Sequence, residues 1–286
     1  MSPSLQTQTD GDSVVERRSF PSTSFPPAEL LAAALAPPAV KVTLAQQLPT
    51  PTGKLLPRII HLVRHGHGQH NAVGELDYEA YKLECNEDAV LTELGIEQCN
   101  ALSATLEGRL KLSRVEALLV SPMRRTLETA QHSFPQLSGK VPWVALETLR
   151  EQTGLHPCDR RRTKSELSAL HPHVDFSRVF AETDPLYPLY PDEREPSPEV
   201  NRRCQAFLDW LFASDLTEVV VVTHSAFIRH LLCVLLGAGD PAAAEHFDNC
   251  EMRSLVLCAE PGAAAGGGDK DVTYQHQVAP AVLGQA

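Results

Sequence analysis

The sequence predicts an α/β fold: a three-layer α/β/α sandwich around a mainly parallel central sheet. Three observations carry that expectation. Near-continuous Val/Ile/Leu runs of strand length recur along the chain, as in strands covered on both faces. Segments with helical spacing of apolar residues alternate with them. Between two low-complexity ends lies a body of about two hundred residues, a size that suits one domain.

The elements follow in order. "RIIHLV" (58–63) is the first strand. "LTELGIEQCNALSATLEGRL" (91–110) spaces Leu94, Ile96, Cys99, Leu102 and Leu106 as one helix face, with Thr92 as its N-cap. "VEALLV" (115–120) is a second strand, and "SPMRRTLETAQHSF" (121–134) opens on Ser-Pro, a helix-start signal. "VPWVAL" (141–146) is a third strand. "SPEVNRRCQAFLDWLFAS" (197–214) starts on Ser-Pro again and sets Val200, Cys204, Phe207, Leu208 and Leu211 along one side. "LTEVVVVTH" (216–224) is a fully apolar strand, and "SAFIRHLLCVLLG" (225–237) a helix ending on a glycine suited to a left-handed cap. "RSLVLCA" (253–259) reads as a further strand, and the alternating segment at 272–278, "VTYQHQV", can add an edge strand. The Pro-rich "TDPLYPLYPDEREPSP" (183–198) reads as a lid or rim.

Three segments result: a disordered tail over 1–52, a domain over 53–260, and a flexible C-terminal segment over 261–286 that begins with the linker "PGAAAGGGDKD". A short helix near 28–36 fits within the tail. The run "LLAAALAPPAV" (30–40) is too short and too interrupted by proline to span a bilayer. A formal charge of −11 argues against nucleic acid or an anionic membrane as a partner. A small anionic substrate remains open, because a local basic pocket can outweigh the global field. The seven cysteines are odd in number, scattered and without a Cys-x-x-Cys pair. That suits a reducing compartment, and with no apolar signal core at the N-terminus the expectation is cytoplasmic.

In open α/β sheets ligands gather at the carboxyl ends of strands. Those ends here read "VRHG", "LVSPMRR", "ALETLRE" and "VVTHS", each delivering Arg, His or Glu. The first continues as "RHGHGQHN" (64–71), which alone suits metal binding, anion binding or a polar turn. These stretches together resemble the histidine phosphatase superfamily, which includes the phosphoglycerate mutases. "RHGHGQHN" is similar to its opening motif, "DAVLTELGIEQC" (88–99) to its following helix, "SPMRRTLETA" to its Ser-Pro-x-x-Arg stretch, "LRE" to its acid position and "VVVVTHS" to its second histidine. "GLHPCDRR" (154–161) and "FDNCEMRSLVL" (247–257) resemble the phosphoglycerate mutase-like proteins of plants and fungi. The likeness covers about 57–260, and it implies a phosphoglycerate mutase-like fold.

The resemblance implies His65, Glu151 and His224 as catalytic residues, and Arg64, Gly66, Asn71, Arg125 and His224 as phosphate-binding ones. The chemistry is consistent with those residue types. A neutral imidazole is a good nucleophile towards phosphorus, which suits His65 and a phosphohistidine. Arginine presents a planar fork matched to phosphate oxygens, which suits Arg64 and Arg125. Gly66 lets phosphate approach the backbone closely. A protonated His224 adds positive charge, and Glu151 is the general acid, its pKa raised beside phosphate. Asn71 is a secondary phosphate contact.

Departures from the pattern qualify this picture. His67-Gly68 stands where the family often has Glu-Ser, so His67 is a candidate pocket residue. Ser225 replaces a glycine and can cap the next helix. The Tyr-Gly segment that follows the acid in mutases is missing, and Arg160, Arg161 and Arg162 offer a basic rim instead. His61 reads as a packed strand residue. The expected function is therefore a metal-independent phosphatase acting on a small phosphate monoester, without cofactor. A phosphoglycerate mutase-type phosphotransferase is the alternative. A metal hydrolase built on His65 and His67, or a non-catalytic phosphate-binding protein, are rivals from other classes.

Overall fold

The protein is described here by a computed structural model, which covers residues 57–260 and 273–278. The tail expected over 1–52 and the linker expected over 261–271 lie outside the described residues. Seven strands form one sheet: β1 (Arg58–Arg64), β2 (Ala117–Val120), β3 (Trp143–Leu146), β4 (Val174–Arg178), β5 (Glu218–Thr223), β6 (Met252–Glu260) and β7 (Thr273–Val278). Their spatial order is β4-β3-β2-β5-β1-β6-β7. The pairs from β4 through to β1 are parallel, and β6 and β7 add antiparallel.

Strand alternation splits the apolar residues into two cores. Ile60, Leu62, Leu119, Val219 and Val221 face helices α5 (Ser197–Ala213) and α6 (Ser225–Leu236). Val63, Leu118, Val120, Val220 and Val222 face helices α2 (Glu93–Arg109) and α3 (Arg124–Ser133). This is the expected three-layer sandwich. Val219 to Val222 are all within 1% of complete burial, so each contributes about 1.5–3 kcal/mol from removal of its side chain from water. Short helices α1 (Gln69–Gly74), α4 (Lys164–Leu170) and α7 (Pro241–Ala244) complete the set.

Local signals hold at several element ends. Thr92 caps α2 by accepting from the Gly95 N–H, and Gly237 ends α6 with φ +92°. Two expectations need correction. Ser121-Pro122 does not open α3, which starts at Arg124; Ser121 stays in the loop, fully buried and bonded to His224. Ser225 does not cap α6 either, because His224 holds the cap position and Ser225 is the first helical residue. β4 was not anticipated. Its "VDFSR" alternates buried and exposed residues at the sheet edge, so it lacks the continuous apolar run that marks its neighbours. His61 is satisfied within the sheet by Ser254 at 2.7 Å and Glu218 at 3.3 Å.

Candidate active site

Strand β1 ends pinned between two neighbours. The His65 N–H donates to the Thr223 carbonyl at 2.9 Å, and the Cys250 N–H to the Arg64 carbonyl at 3.1 Å. This fixes the backbone from which the His65 ring projects. His65 is buried, and its Nδ1 lies 2.8 Å from the Gly66 carbonyl. A carbonyl only accepts, so Nδ1 carries the hydrogen and the Nε2 lone pair is left for chemistry. Burial, then the charges of Arg125 and Arg64, hold the imidazole pKa well below its ordinary value. The ring is therefore a neutral base at physiological pH.

Gly66 has a packing reason beside the one expected. Its N–H is committed to Thr129 Oγ1 at 2.9 Å and its carbonyl to His65. A Cβ there would lie 2.9 Å from the Gly95 carbonyl and 3.1 Å from the sulfurs of Cys99 and Cys250. Glycine is required here by the close packing beneath the loop.

The two arginines flank this ring. Arg64 donates through one terminal nitrogen to the Phe247 carbonyl (2.7 Å) and to His246 Nε2 (3.0 Å). Arg125, 1% exposed, reaches the Cys158 carbonyl (2.6 Å) and Asp159 (3.0 Å). A guanidinium has five donors, so both keep donors in hand. The Nε of each is buried with no hydrogen-bond partner.

His224, at the end of β5, packs its ring 5.2 Å from that of His65. Its Nε2 meets Ser121 Oγ at 2.8 Å, and its Nδ1 is buried and unpaired. Burial, followed by Arg125 and His65, pushes its pKa well below the usual value. The positive charge that a protonated His224 would add is thus disfavoured: it enters the site as a neutral imidazole that can donate one hydrogen bond.

Glu151 reaches from the segment after β3 to the first turn of α6. Its carboxyl accepts from the N–H groups of Gln152 (2.9 Å), Phe227 (3.2 Å) and Ala226 (3.4 Å). Although the residue keeps some surface exposure, the carboxyl is withdrawn from water, and this burial and then the Asp159 charge raise its pKa. A carboxyl that resists ionisation suits proton delivery. Glu151 and Arg64 are electrostatic neighbours, as are Glu151 and Arg125. Arg64, His65, Arg125, Glu151 and His224 therefore share one environment.

Asn71 accepts at Oδ1 from the Gly68 N–H at 2.9 Å, a bond that leaves its amide N–H groups, the donors a phosphate would use, uncommitted. His67 turns away, to Thr92 Oγ1 at 2.8 Å and Glu75 at 3.4 Å. The three rim arginines are all engaged. Arg160 pairs with Glu84 and Glu87, Arg161 is buried against Glu147, and Arg162 meets Glu166. Among the described residues, no three His, Cys, Asp or Glu side chains gather to hold a metal ion.

Sequence reasoning missed four neighbours. Ser121 orients His224. Asp159 bridges Arg125 to Arg194, which it meets at 2.5 Å. Arg194 also reaches His156 Nδ1 at 2.8 Å. His70 places its ring 5.4 Å from His65. The weak signal was there for His70, which shares the opening motif; nothing local marked Asp159 or Arg194.

Comparison with known proteins adds the following. Residues 60–263 match the family described as the histidine phosphatase superfamily (branch 1). A phosphoglycerate mutase-like protein of Arabidopsis thaliana is 36% identical over 230 residues, spanning 70% of this chain and 84% of the relative. Phosphomutase-like protein 3 of Candida albicans is 30% identical over 191 residues, spanning 62% of this chain and 60% of the relative. A mycobacterial glucosyl-3-phosphoglycerate phosphatase solved with VO3 is 22% identical, with a TM-score of 0.47 and coverage of 77% of this chain and 98% of that one.

Proposed function

This chain belongs to the histidine phosphatase superfamily, whose chemistry is phosphoryl transfer, and on that premise we propose that it is a phosphatase. It hydrolyses a small phosphate monoester through a phosphohistidine on His65. The observation that carries the reading is the 2.8 Å bond from His65 Nδ1 to the Gly66 carbonyl, which leaves Nε2 unprotonated beside the under-bonded Arg64, Arg125 and His224.

The steps follow from those positions. Nε2 attacks phosphorus, and the bond to the leaving oxygen breaks as the P–N bond forms. Glu151 gives its proton to that oxygen, so the alcohol departs neutral. The unpaired donors of Arg64, Arg125 and His224 stabilise the charge on the non-bridging oxygens. The ionised Glu151 then takes a proton from water, whose oxygen attacks phosphorus and breaks the P–N bond. Inorganic phosphate leaves and His65 returns to its starting state. No metal or cofactor enters these steps.

The pairing of Arg160 and Arg161 supports hydrolysis over the mutase alternative. With both tied to carboxylates, neither is ready to grip the second acidic group of a phosphoglycerate. The six cysteines whose side chains are described are free thiols, which suits a reducing compartment such as the cytoplasm. The test is a panel of phosphorylated metabolites assayed for phosphate release with wild type and His65→Ala, with and without chelator. Activity that vanishes in the variant and ignores the chelator is expected; equal activity in the two proteins would reject the assignment. Isomerisation without phosphate release, after priming with bisphosphoglycerate, would favour the mutase.

A further inference from the structure

We infer that His70 is a substrate contact, its imidazole holding a non-bridging oxygen of the phosphoryl group that His65 attacks. The inference rests on the phosphatase reading and extends its binding set. Four observations carry it. His70 is 5% exposed, and its ring stands 5.4 Å from that of His65 and 6.1 Å from that of Tyr81. Its Nδ1 is buried with no hydrogen-bond partner, and no described residue bonds its Nε2. A buried ring nitrogen left unbonded is uncommon in folded proteins, where such atoms find partners unless a ligand supplies them.

The chain also makes room for this ring. A Cβ at Gly68 would lie 2.6 Å from His70 Nδ1 and Cε1, so glycine at 68 is what admits the imidazole at this spot. Finally, the charges around it match an anion: Arg125 and Arg64 are its electrostatic neighbours. Burial first, then those charges, keep the ring neutral, so it offers one N–H without adding positive charge.

Packing alone is the competing explanation, and it makes the opposite forecast. A ring needed only for its shape is replaced well by phenylalanine, which lacks the nitrogens. His70→Phe and His70→Asn are therefore compared with wild type in phosphate-ester turnover and in thermal unfolding with and without orthovanadate. The expected result is a loss of roughly ten- to a hundredfold in kcat/KM for His70→Phe, the scale of one hydrogen bond to a charged group. Its Tm without anion stays level or rises, because an unpaired polar edge has gone, and the gain in Tm from vanadate shrinks. His70→Asn retains an N–H donor and recovers part of the activity; should His70→Phe fail to fold, His70→Leu, which also lacks the nitrogens, is judged by the same two readings.

Wild-type turnover and vanadate response in His70→Phe would overturn the inference and leave the phosphatase reading standing. Absence of both turnover and vanadate response in the wild type would overturn the phosphatase reading itself, and this inference with it.

Discussion

Two sets of buried or half-buried arginines lie side by side in this protein and are treated in opposite ways. On α5, facing the segment after β3, Arg203 uses every donor: Nε and one terminal nitrogen meet Glu195, and the rest meet the carbonyls of Thr148, Arg150 and Glu151. Arg161 is saturated likewise by Glu147 and the carbonyls of Ala181, Arg162, Glu182 and Thr183. Arg150 pairs with both Glu147 and Asp184. Arg64 and Arg125, at the strand ends, leave Nε buried and unpaired. A buried arginine is therefore no sign of a ligand in itself. An unfilled donor counts as a sign only together with its place at the strand-end site, since Arg58 and Arg162 also leave Nε buried and unpaired elsewhere.

That contrast can be broken at either side. The largest effect is expected from Arg203→Met, which strands the Glu195 carboxylate in the interior. Breaking one partner of a buried pair costs about 3–5 kcal/mol, a fall of roughly 10 °C in Tm for a domain of this size. Calorimetry should show that loss, while kcat of the folded fraction stays near wild type. A variant that keeps its Tm would remove the architectural half of the comparison.

Arg125→Met tests the other half. Loss of a preorganised donor to the transition state should cut kcat/KM by about 10²–10³, with a smaller effect on Tm, because Asp159 keeps Arg194 as a partner. A large drop in Tm with little loss of turnover would place Arg125 among the structural arginines.

Asp88 sharpens the comparison from the acidic side. It is fully buried, accepts from the Arg124 N–H at the start of α3, and leaves Oδ2 unpaired. Burial raises its pKa to about 6. The folded state thus holds this proton more tightly than the unfolded chain does. The contribution is fully present below about pH 4 and is lost as pH rises through about 6, at a cost of up to roughly 3 kcal/mol. Asp88→Asn should flatten the pH dependence of Tm between those limits and raise Tm at pH 8. An unchanged profile would show that the carboxyl is not held in this way.

The smallest effect is expected at Ser121. Its hydroxyl fixes the His224 ring at 2.8 Å, and Ser121→Ala should lower kcat/KM by up to about tenfold, with at most about 1 kcal/mol lost in stability. Steady-state kinetics that match wild type would mean that the sheet alone orients His224.

Much of the architecture was legible from local pattern. β1 and β5 could be read because both faces of each are covered, so their runs are almost unbroken Val, Ile and Leu. β4 could not, since an edge strand with one wet face carries only a short alternation. The Ser-Pro signal misled at Ser121, whose hydroxyl is claimed by a histidine 103 positions away and not by its own helix. Arg64, His65, Arg125, Glu151 and His224 were legible as candidates because each stands at or just beyond the end of a strand. Asp159 and Arg194 were not, His70 was marked only by its place in the opening motif, and the packing reason for Gly66 came from the fold.

From the sequence alone came the alternation of strands and helices, and with it the rule that their chemistry collects at one edge of the sheet. Periodicity is a local property, so a chain records it residue by residue. Which donors remain unfilled, which histidines stay neutral and which glycines merely make room were decided by partners far apart in the chain. Hydrogen-bond satisfaction and desolvation depend on what the fold brings within about 3 Å of a side chain, and no stretch of sequence contains that information.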